Sequence, residues 1–170
     1  MRKFSGLCLK VRFNVDGENT RIFKGNPILP GKVEGEAVVS LQGFNTYASF
    51  LTSMYAQEKE AKCSDRNNPK IYGKVLTGKV ICLPKTIGST SSGAVWTRVV
   101  ELGIAPQALL FSGKIDSLAA GGVIVAEVWA GKRIVTVDRL GEEFLKNIMD
   151  GDRIVIREDG IVELWNVRGF

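Results

Sequence analysis

Over its first third, the chain alternates hydrophobic and polar residues with a period of two, the pattern of half-buried β-strands. This pattern predicts strands over residues 7–13, 20–23 and 34–40, separated by turns that contain glycine and proline. From residue 79 onward, short apolar runs alternate with segments whose apolar residues recur at helical spacing. This second pattern predicts strands 80–83, 108–111 and 134–137, helices 94–102, 118–128 and 140–149, and a closing hairpin of strands 153–156 and 161–165.

The order of these elements predicts a single α/β domain over residues 1–170, with a mixed sheet in which some central strands run parallel. The glycine pair at 121–122 weakens the predicted helix that contains it, because glycine is a poor helix former. Residues 43–70 follow no clear period and contain a short amphipathic segment near 49–55 and a polar loop. A loop of that length in a compact domain is often functional.

Composition and charge narrow the classes of function. The 170 residues are 45% hydrophobic and 24% charged, and no apolar run approaches the ~20 residues that cross a bilayer. The N-terminus lacks the apolar stretch of a signal peptide, so we expect a cytoplasmic protein with no membrane partner. The net charge of +5 comes from scattered lysines and arginines, which favours a solvated or partner-facing surface over a nucleic-acid site.

Histidine is absent, which removes the commonest general base and the commonest neutral metal ligand. The chain therefore cannot form a Ser-His-Asp or Cys-His catalytic unit, and it cannot be a phosphohistidine carrier. Acid–base chemistry within this chain needs carboxylates, lysine, tyrosine or an activated hydroxyl.

Three cysteines without Cys-x-x-Cys spacing do not indicate a disulfide framework. Cys82 lies in an apolar run and is predicted to be a core residue, whereas Cys8 lies on the polar side of its strand. Cys63 lies in a polar loop beside Lys62 and Arg66, whose charges are expected to lower the thiol pKa. Two interpretations stay open for Cys63: an incidental surface thiol, or a metal ligand whose companions come from another chain.

The segment 83–93, LPKTIGSTSSG, is the strongest candidate for a functional site. It follows a predicted buried strand and places four hydroxyl residues, 89–92, before a predicted helix. The exposed N–H groups and dipole of a helix N-terminus suit a carboxylate, a phosphate or a deprotonated hydroxyl. Gly88 permits close approach of a ligand and Lys85 adds a positive charge. Ordinary N-capping is the competing interpretation, although one hydroxyl suffices for it.

Two further polar positions flank this segment in the predicted fold. Asp116 and Ser117 precede a predicted helix, where they act as a cap or as a second polar wall of the site. Asn45, at the start of the irregular region, is a candidate for facing a substrate. The segment 83–93 matches neither the phosphate-binding P-loop nor the Gly-x-Gly-x-x-Gly pattern.

An ordered series of motifs resembles the small, swivelling domain or subunit of the aconitase X family. The resemblance covers about residues 25–165, and the motifs that carry it are PGKVEGEA at 30–37, SFL at 49–51, PKIYGK at 69–74, GKV at 78–80, GST at 88–90 and APQA at 105–108. It implies a swivelling β/β/α fold, a β-sandwich or barrel half covered by helices. It also implies that this chain is part of an enzyme whose active site is shared with a large subunit, in a heterodimer or higher assembly.

The resemblance also implies roles for individual residues. In the wider aconitase superfamily, a serine in a Gly-Ser-Ser loop acts as the catalytic base, and Ser89 is the matching position. An iron–sulfur cluster is held mostly by the large subunit, with Cys63 as the implied contribution of this chain. The arginine that ends the superfamily's loop pattern is missing here, so Lys85 or a partner residue is expected to bind the substrate carboxylate. The remaining candidate substrate-binding residues are Gly88, Thr90, Ser91 and Asn45.

Two substrates occur in this family, and both are small hydroxy acids. The segments CSDRNNPKIYGK and LPKTIGST resemble enzymes that convert cis-3-hydroxy-L-proline to Δ1-pyrroline-2-carboxylate, which is the expected reaction. Archaeal enzymes acting on mevalonate 5-phosphate tend to have Gly-Lys-Gly-Ser-Thr at this loop and to lack the cysteine, and they are the alternative. A non-catalytic module that binds an anionic metabolite at 88–92 is a hypothesis of a different class.

Overall fold

The computed structural model describes residues 8–13 and 19–165, and side chains from residue 20 onward. Residue 7, the first of the predicted strand 7–13, lies outside the described residues. The elements are β1 (Cys8–Phe13), β2 (Asn19–Lys24), β3 (Asn26–Leu29), β4 (Val33–Val39), β5 (Phe44–Asn45), α1 (Thr46–Ala56), β6 (Val80–Leu83), β7 (Thr86–Ile87), α2 (Ser92–Glu101), β8 (Ala108–Phe111), α3 (Ser117–Ala130), β9 (Val135–Asp138), α4 (Glu142–Asn147), β10 (Arg153–Ile156) and β11 (Ile161–Trp165).

Nine strands form one mixed sheet in the order β1-β2-β11-β10-β4-β6-β8-β9-β3. The central strands β4, β6, β8 and β9 pair in parallel, and the outer strands pair antiparallel. Strands β6, β8 and β9 are buried along their whole length, as expected for parallel strands that are covered on both faces. The predicted α/β fold with a mixed sheet is therefore confirmed.

Side chains from the two faces of the sheet form two separate cores. On β6, Ile81 and Leu83 point into the core under α1, α2 and α3, while Val80 and Cys82 point into the opposite core. The opposite core is closed by Phe144 of α4 and by the antiparallel strands. Since α1, α2 and α3 all cover one face, the loops that lead from the parallel strands into these helices lie at one edge of the sheet.

The glycine pair at 121–122 does not interrupt α3, which runs unbroken from Ser117 to Ala130. The physical reason is close packing of α3 against α2. A Cβ on Gly122 would lie 2.5 Å from the carbonyl oxygen of Gly93 and 2.9 Å from Cδ1 of Trp96. Gly122 therefore lets the two helix backbones touch, which fixes α2 relative to the rest of the domain. Within the described residues, no helix has the length and apolarity to cross a membrane.

Several element bounds differ from the predictions. The helix predicted over 140–149 is shorter, because Arg139 and Gly141 adopt positive φ and Ile148 is extended. Leu140 and Ile148 are nevertheless buried in the core outside the helix. The segment at Pro27, predicted as a break, forms β3 at the edge of the sheet, where proline is tolerated.

Candidate functional site

Polar loops gather where the parallel strands end. Strand β6 is followed by residues 84–91, β8 by residues 112–116, and β9 directly by Arg139. Because the carboxyl ends of neighbouring parallel strands lie at one edge, these loops are neighbours in space. The loop 84–91 contains most of the predicted site residues, and it leads directly into α2.

A two-stranded parallel ladder holds the first part of the loop. Strand β7 pairs with β5, which places Asn45 opposite Ile87. The N–H of Phe44 donates to the carbonyl oxygen of Lys85 at 2.9 Å. At Gly88, φ is +128°, and an added Cβ would lie 3.3 Å from Oδ1 of Asn45. The structure thus brings the predicted residues Asn45 and Gly88 together, although they are more than 40 residues apart in the chain.

Asn45 lies at the site and also caps helix α1. Its Oδ1 accepts a hydrogen bond from the N–H of Ala48 at 3.1 Å and so caps the N-terminus of α1. The Nδ2 amide is the remaining polar group of the side chain, and it is the part that can face a ligand. The substrate-binding role of Asn45 stays a prediction.

Ser89 is exposed in the loop, immediately before α2. Its Oγ lies 2.7 Å from Oγ of Ser91, so the two hydroxyls share a hydrogen bond. Ser92 donates from its Oγ to the carbonyl oxygen of Ser89 at 2.7 Å. Ser91 is the N-cap residue of α2, yet its side chain makes no capping hydrogen bond. The hydroxyl run is therefore not accounted for by N-capping, because Ser91 turns to Ser89 instead of the helix N–H groups.

The remaining loop residues reach solvent. Lys85 and Thr90 are exposed, and their substrate-binding role stays a prediction. Within residues 20–165, the ammonium group of Lys85 makes no ion pair, which leaves its charge available.

Asp116 caps α3, as one of the two predicted roles requires, and it also contacts the site loop. One oxygen, Oδ1, accepts from the N–H groups of Leu118 at 3.0 Å and Ala119 at 2.9 Å, which caps α3. The other oxygen accepts a hydrogen bond from Oγ1 of Thr86 in the site loop. Partial burial raises the pKa of Asp116, but the hydrogen bonds from Thr86 and the two N–H groups outweigh it and leave the pKa below its usual range. Asp116 is thus a carboxylate that is hydrogen-bonded to the site loop 84–91 through Thr86.

Two cations that sequence reasoning missed lie at the same edge. Lys114 and Arg139 line an open cavity of about 570 Å³ together with Asp116, Ser117 and Asp138. Arg139 adopts a left-handed backbone with φ of +58°, which is uncommon outside glycine. The signal that could have revealed both cations is their position just after the ends of two parallel strands.

The expectation that Lys62 and Arg66 lower the pKa of Cys63 is wrong, and so is the alternative of an incidental surface thiol. The side chain is 2% exposed and belongs to the core under the helices. Burial raises the pKa of this thiol, and the N–H of Asp65 and the hydroxyl of Ser49 offset that effect only in part. The charges of Lys62 and Arg66 do not decide the pKa, because adjacency in sequence does not place them at the sulfur. The role of Cys63 as a metal ligand stays a prediction.

The described residues do not fit an iron–sulfur cluster by themselves. Within residues 20–165, no group of three or more Cys, Asp or Glu side chains is arranged to hold a metal ion. Cys63 and Cys82 are both buried free thiols, and they point into the two different cores of the domain. An iron–sulfur cluster bound to this chain would therefore need ligands from outside its described part.

Comparisons with known proteins agree on one family. A model described as the aconitase X swivel domain matches residues 22–164. The chain is 31% identical over 143 residues to the phosphomevalonate dehydratase small subunit of Archaeoglobus fulgidus, covering 84% of this chain and 97% of that protein. It is 30% identical over 115 residues to the cis-3-hydroxy-L-proline dehydratase of Hypocrea jecorina, covering 68% of this chain and 18% of that protein. The crystal structure of Thermococcus kodakaraensis aconitase X in its holo-form has a TM-score of 0.70 and 24% identity, covering 85% of this chain and 98% of the matched one.

Proposed function

Because the chain belongs to the aconitase X family and corresponds to its swivel domain, we propose that it is the small subunit of a hydro-lyase that acts together with a large subunit. The reaction we propose is the dehydration of a β-hydroxy acid, with Ser89 as the base. The observation that carries the proposal is the placement of an exposed Ser89 hydroxyl at the start of α2, on the edge where the parallel strands end.

The surroundings of Ser89 support its use as a base. A free serine hydroxyl is far too weakly acidic to be deprotonated at neutral pH, so its alkoxide needs stabilisation. The start of α2 supplies the positive end of the helix dipole, and no side chain of the N-cap residue blocks it. Ser91 can donate a hydrogen bond to Ser89 Oγ across 2.7 Å, and Lys85 adds a positive charge in the same loop. The start of α2 and the Ser91 hydroxyl are in place before substrate binds, which is the arrangement that stabilises developing charge best.

We propose that the two subunits supply different catalytic groups for the dehydration. Ser89 would remove the proton from the carbon next to the carboxylate, while the hydroxide leaves the neighbouring carbon. We assign binding of the substrate carboxylate to Asn45, Gly88, Thr90 and Lys85, and the pairing of Asn45 opposite Ile87 in the site loop supports this assignment. Within the described residues, the site provides no metal centre and lies open at the sheet edge. We therefore assign the stabilisation of the leaving hydroxide to the large subunit.

The substrate we propose is cis-3-hydroxy-L-proline, with Δ1-pyrroline-2-carboxylate as the product. The segments 63–74 and 83–90 support this choice, because they resemble the hydroxyproline-type enzymes. Mevalonate 5-phosphate is the second candidate. It is favoured by the comparisons, since the Archaeoglobus small subunit matches over 97% of its own length.

The test is reconstitution of the chain with a large subunit of the aconitase X family, followed by assays on both hydroxy acids. We expect the isolated chain to be folded and inactive, and the complex to dehydrate cis-3-hydroxy-L-proline with kcat/KM at least 100-fold above that for mevalonate 5-phosphate. A higher kcat/KM for mevalonate 5-phosphate would make that acid the substrate, and the proposal of a hydro-lyase would stand. Dehydration by the isolated chain would refute the shared active site. A complex that binds either acid without converting it would identify an anion-binding module.

A further inference from the structure

Helix α3 exposes an unusually apolar face. Among its 14 residues only Glu127 is charged, and Glu127 is ion-paired with Arg133. The inner face of the helix, formed by Ala119, Val123 and Ala126, packs in the core. The outer face, which we call the α3 face, consists of Leu118, Ile124, Val125, Val128 and Trp129, with exposed fractions of 41, 44, 36, 72 and 78%. A helix that is apolar on every side is normally buried on every side.

The size of the α3 face distinguishes it from scattered exposed residues. Its five side chains expose roughly 500 Å² of contiguous apolar surface, which is in the range where patches on monomers mark interaction sites. A standard protein–protein interface buries about 800 Å² on each partner. The α3 face would therefore supply more than half of one side of such an interface. Trp129 is the most exposed of the five, and tryptophan is enriched among residues that dominate binding energy.

The α3 face is continuous with the candidate active site. A shallow groove of about 320 Å³ runs along the contact between α3 and the first turn of α2, and it is lined by Ala94, Leu118 and Val125 among other small or apolar residues. Ala94 lies three residues after Ser91, whose hydroxyl contacts Ser89. A molecule that covers Ser89 and extends along α2 therefore reaches the α3 face without crossing a charged side chain of the groove.

We propose that the α3 face is a docking surface for the large subunit, continuous with the shared active site. This inference rests on the proposed function, which requires a second subunit to supply the groups missing around Ser89. A partner that reaches Ser89 meets α2 first and the apolar groove next. The complementary surface on the large subunit is accordingly apolar, with a pocket that receives Trp129.

The experiment measures the affinity of the full chain for the purified large subunit by isothermal titration calorimetry. The variants are Val128→Asp and Trp129→Asp on the α3 face, and Met149→Asp is the matched control because Met149 is 49% exposed and follows Ile148, which is buried in the opposite core. We expect Kd to rise at least tenfold for Val128→Asp, about 100-fold for Trp129→Asp, and less than threefold for Met149→Asp. Circular dichroism and thermal melts confirm that each variant is folded.

The other outcomes separate the two proposals. If wild type binds the large subunit and all three variants bind equally well, the docking surface is wrong and the proposed function stands. If wild type does not bind the large subunit at all, the proposed function itself fails. Sedimentation of the isolated chain tests a second copy as the occupant: a dimer that Val128→Asp dissociates, with unchanged affinity for the large subunit, would overturn the inference.

Discussion

The contact between α2 and α3 can be tested with a pair of adjacent glycines. A Cβ on Gly122 would lie 2.5 Å from the carbonyl oxygen of Gly93 and 2.8 Å from its Cα, so Gly122→Ala must push two backbones apart. A Cβ on Gly121 would meet nothing within 4 Å, so Gly121→Ala is sterically free. Both positions are helical, which makes them a matched pair for separating the steric effect from the conformational one.

The magnitude follows from two opposing effects. Replacing glycine by alanine within a helix gains about 1 kcal/mol of stability at either position. Overpacking a tight contact destabilises a protein by about 1–3 kcal/mol, and of the two variants only Gly122→Ala overpacks one. The gain from helix propensity cancels when the two variants are compared, so Gly122→Ala should be less stable than Gly121→Ala by about 1–3 kcal/mol. For a chain of this size, that difference lowers the melting temperature by several degrees.

Urea unfolding of the isolated chain, followed by far-UV circular dichroism, measures the free energy of unfolding of each variant. We expect Gly121→Ala to be at least as stable as wild type and Gly122→Ala to be less stable than Gly121→Ala. Two variants of equal stability, agreeing within about 0.5 kcal/mol, would show that α2 and α3 do not meet at Gly122 and would refute the packing described above.

Two other predictions concern the buried thiol and the cap of α3. Because burial raises the pKa of Cys63, iodoacetamide at pH 8 should alkylate its peptide far more slowly in the native chain than in urea, as quantified by mass spectrometry; equal rates would contradict the burial. Asp116→Ala should lower the free energy of unfolding by about 1 kcal/mol at pH 7, through loss of the helix cap. Since the folded-state pKa of Asp116 is lowered, this loss should shrink as the pH falls below the usual aspartate pKa and through the lowered folded-state pKa, and a loss independent of pH would exclude the charged cap.

The parallel strands could be predicted because their burial is visible in the sequence. The runs 80–83 and 108–111 are continuously apolar, and the structure places them as β6 and β8 in the centre of the sheet. Helix α2 was also predictable, because Val95, Val99 and Leu102 recur at helical spacing. Their order then places the loop 84–91 at the carboxyl edge of the sheet.

Other features depend on contacts that local patterns do not contain. The buried face of α1 consists of Thr46, Ser49, Phe50 and Ser53. Because three of these four residues carry hydroxyl groups, the sequence of α1 lacks the helical repeat of apolar residues by which a helix is predicted. The site ladder between β5 and β7 has two residues on each strand, too few for a recognisable alternation. The burial of Cys63 cannot be predicted from its sequence neighbours, which are charged, because its spatial neighbours belong to the core.

The measurement that tests the account most directly is the turnover of Ser89→Ala in the reconstituted complex. Thr97→Ala is the matched control, because it removes a hydroxyl from α2 outside the site loop. We predict that Ser89→Ala lowers kcat for dehydration by at least 100-fold, the usual scale of a lost general base, without changing the melting temperature or the affinity for the large subunit. The control should keep at least a tenth of wild-type activity. Wild-type turnover in Ser89→Ala would remove the hydroxyl at the start of α2 from the chemistry and contradict the central claim.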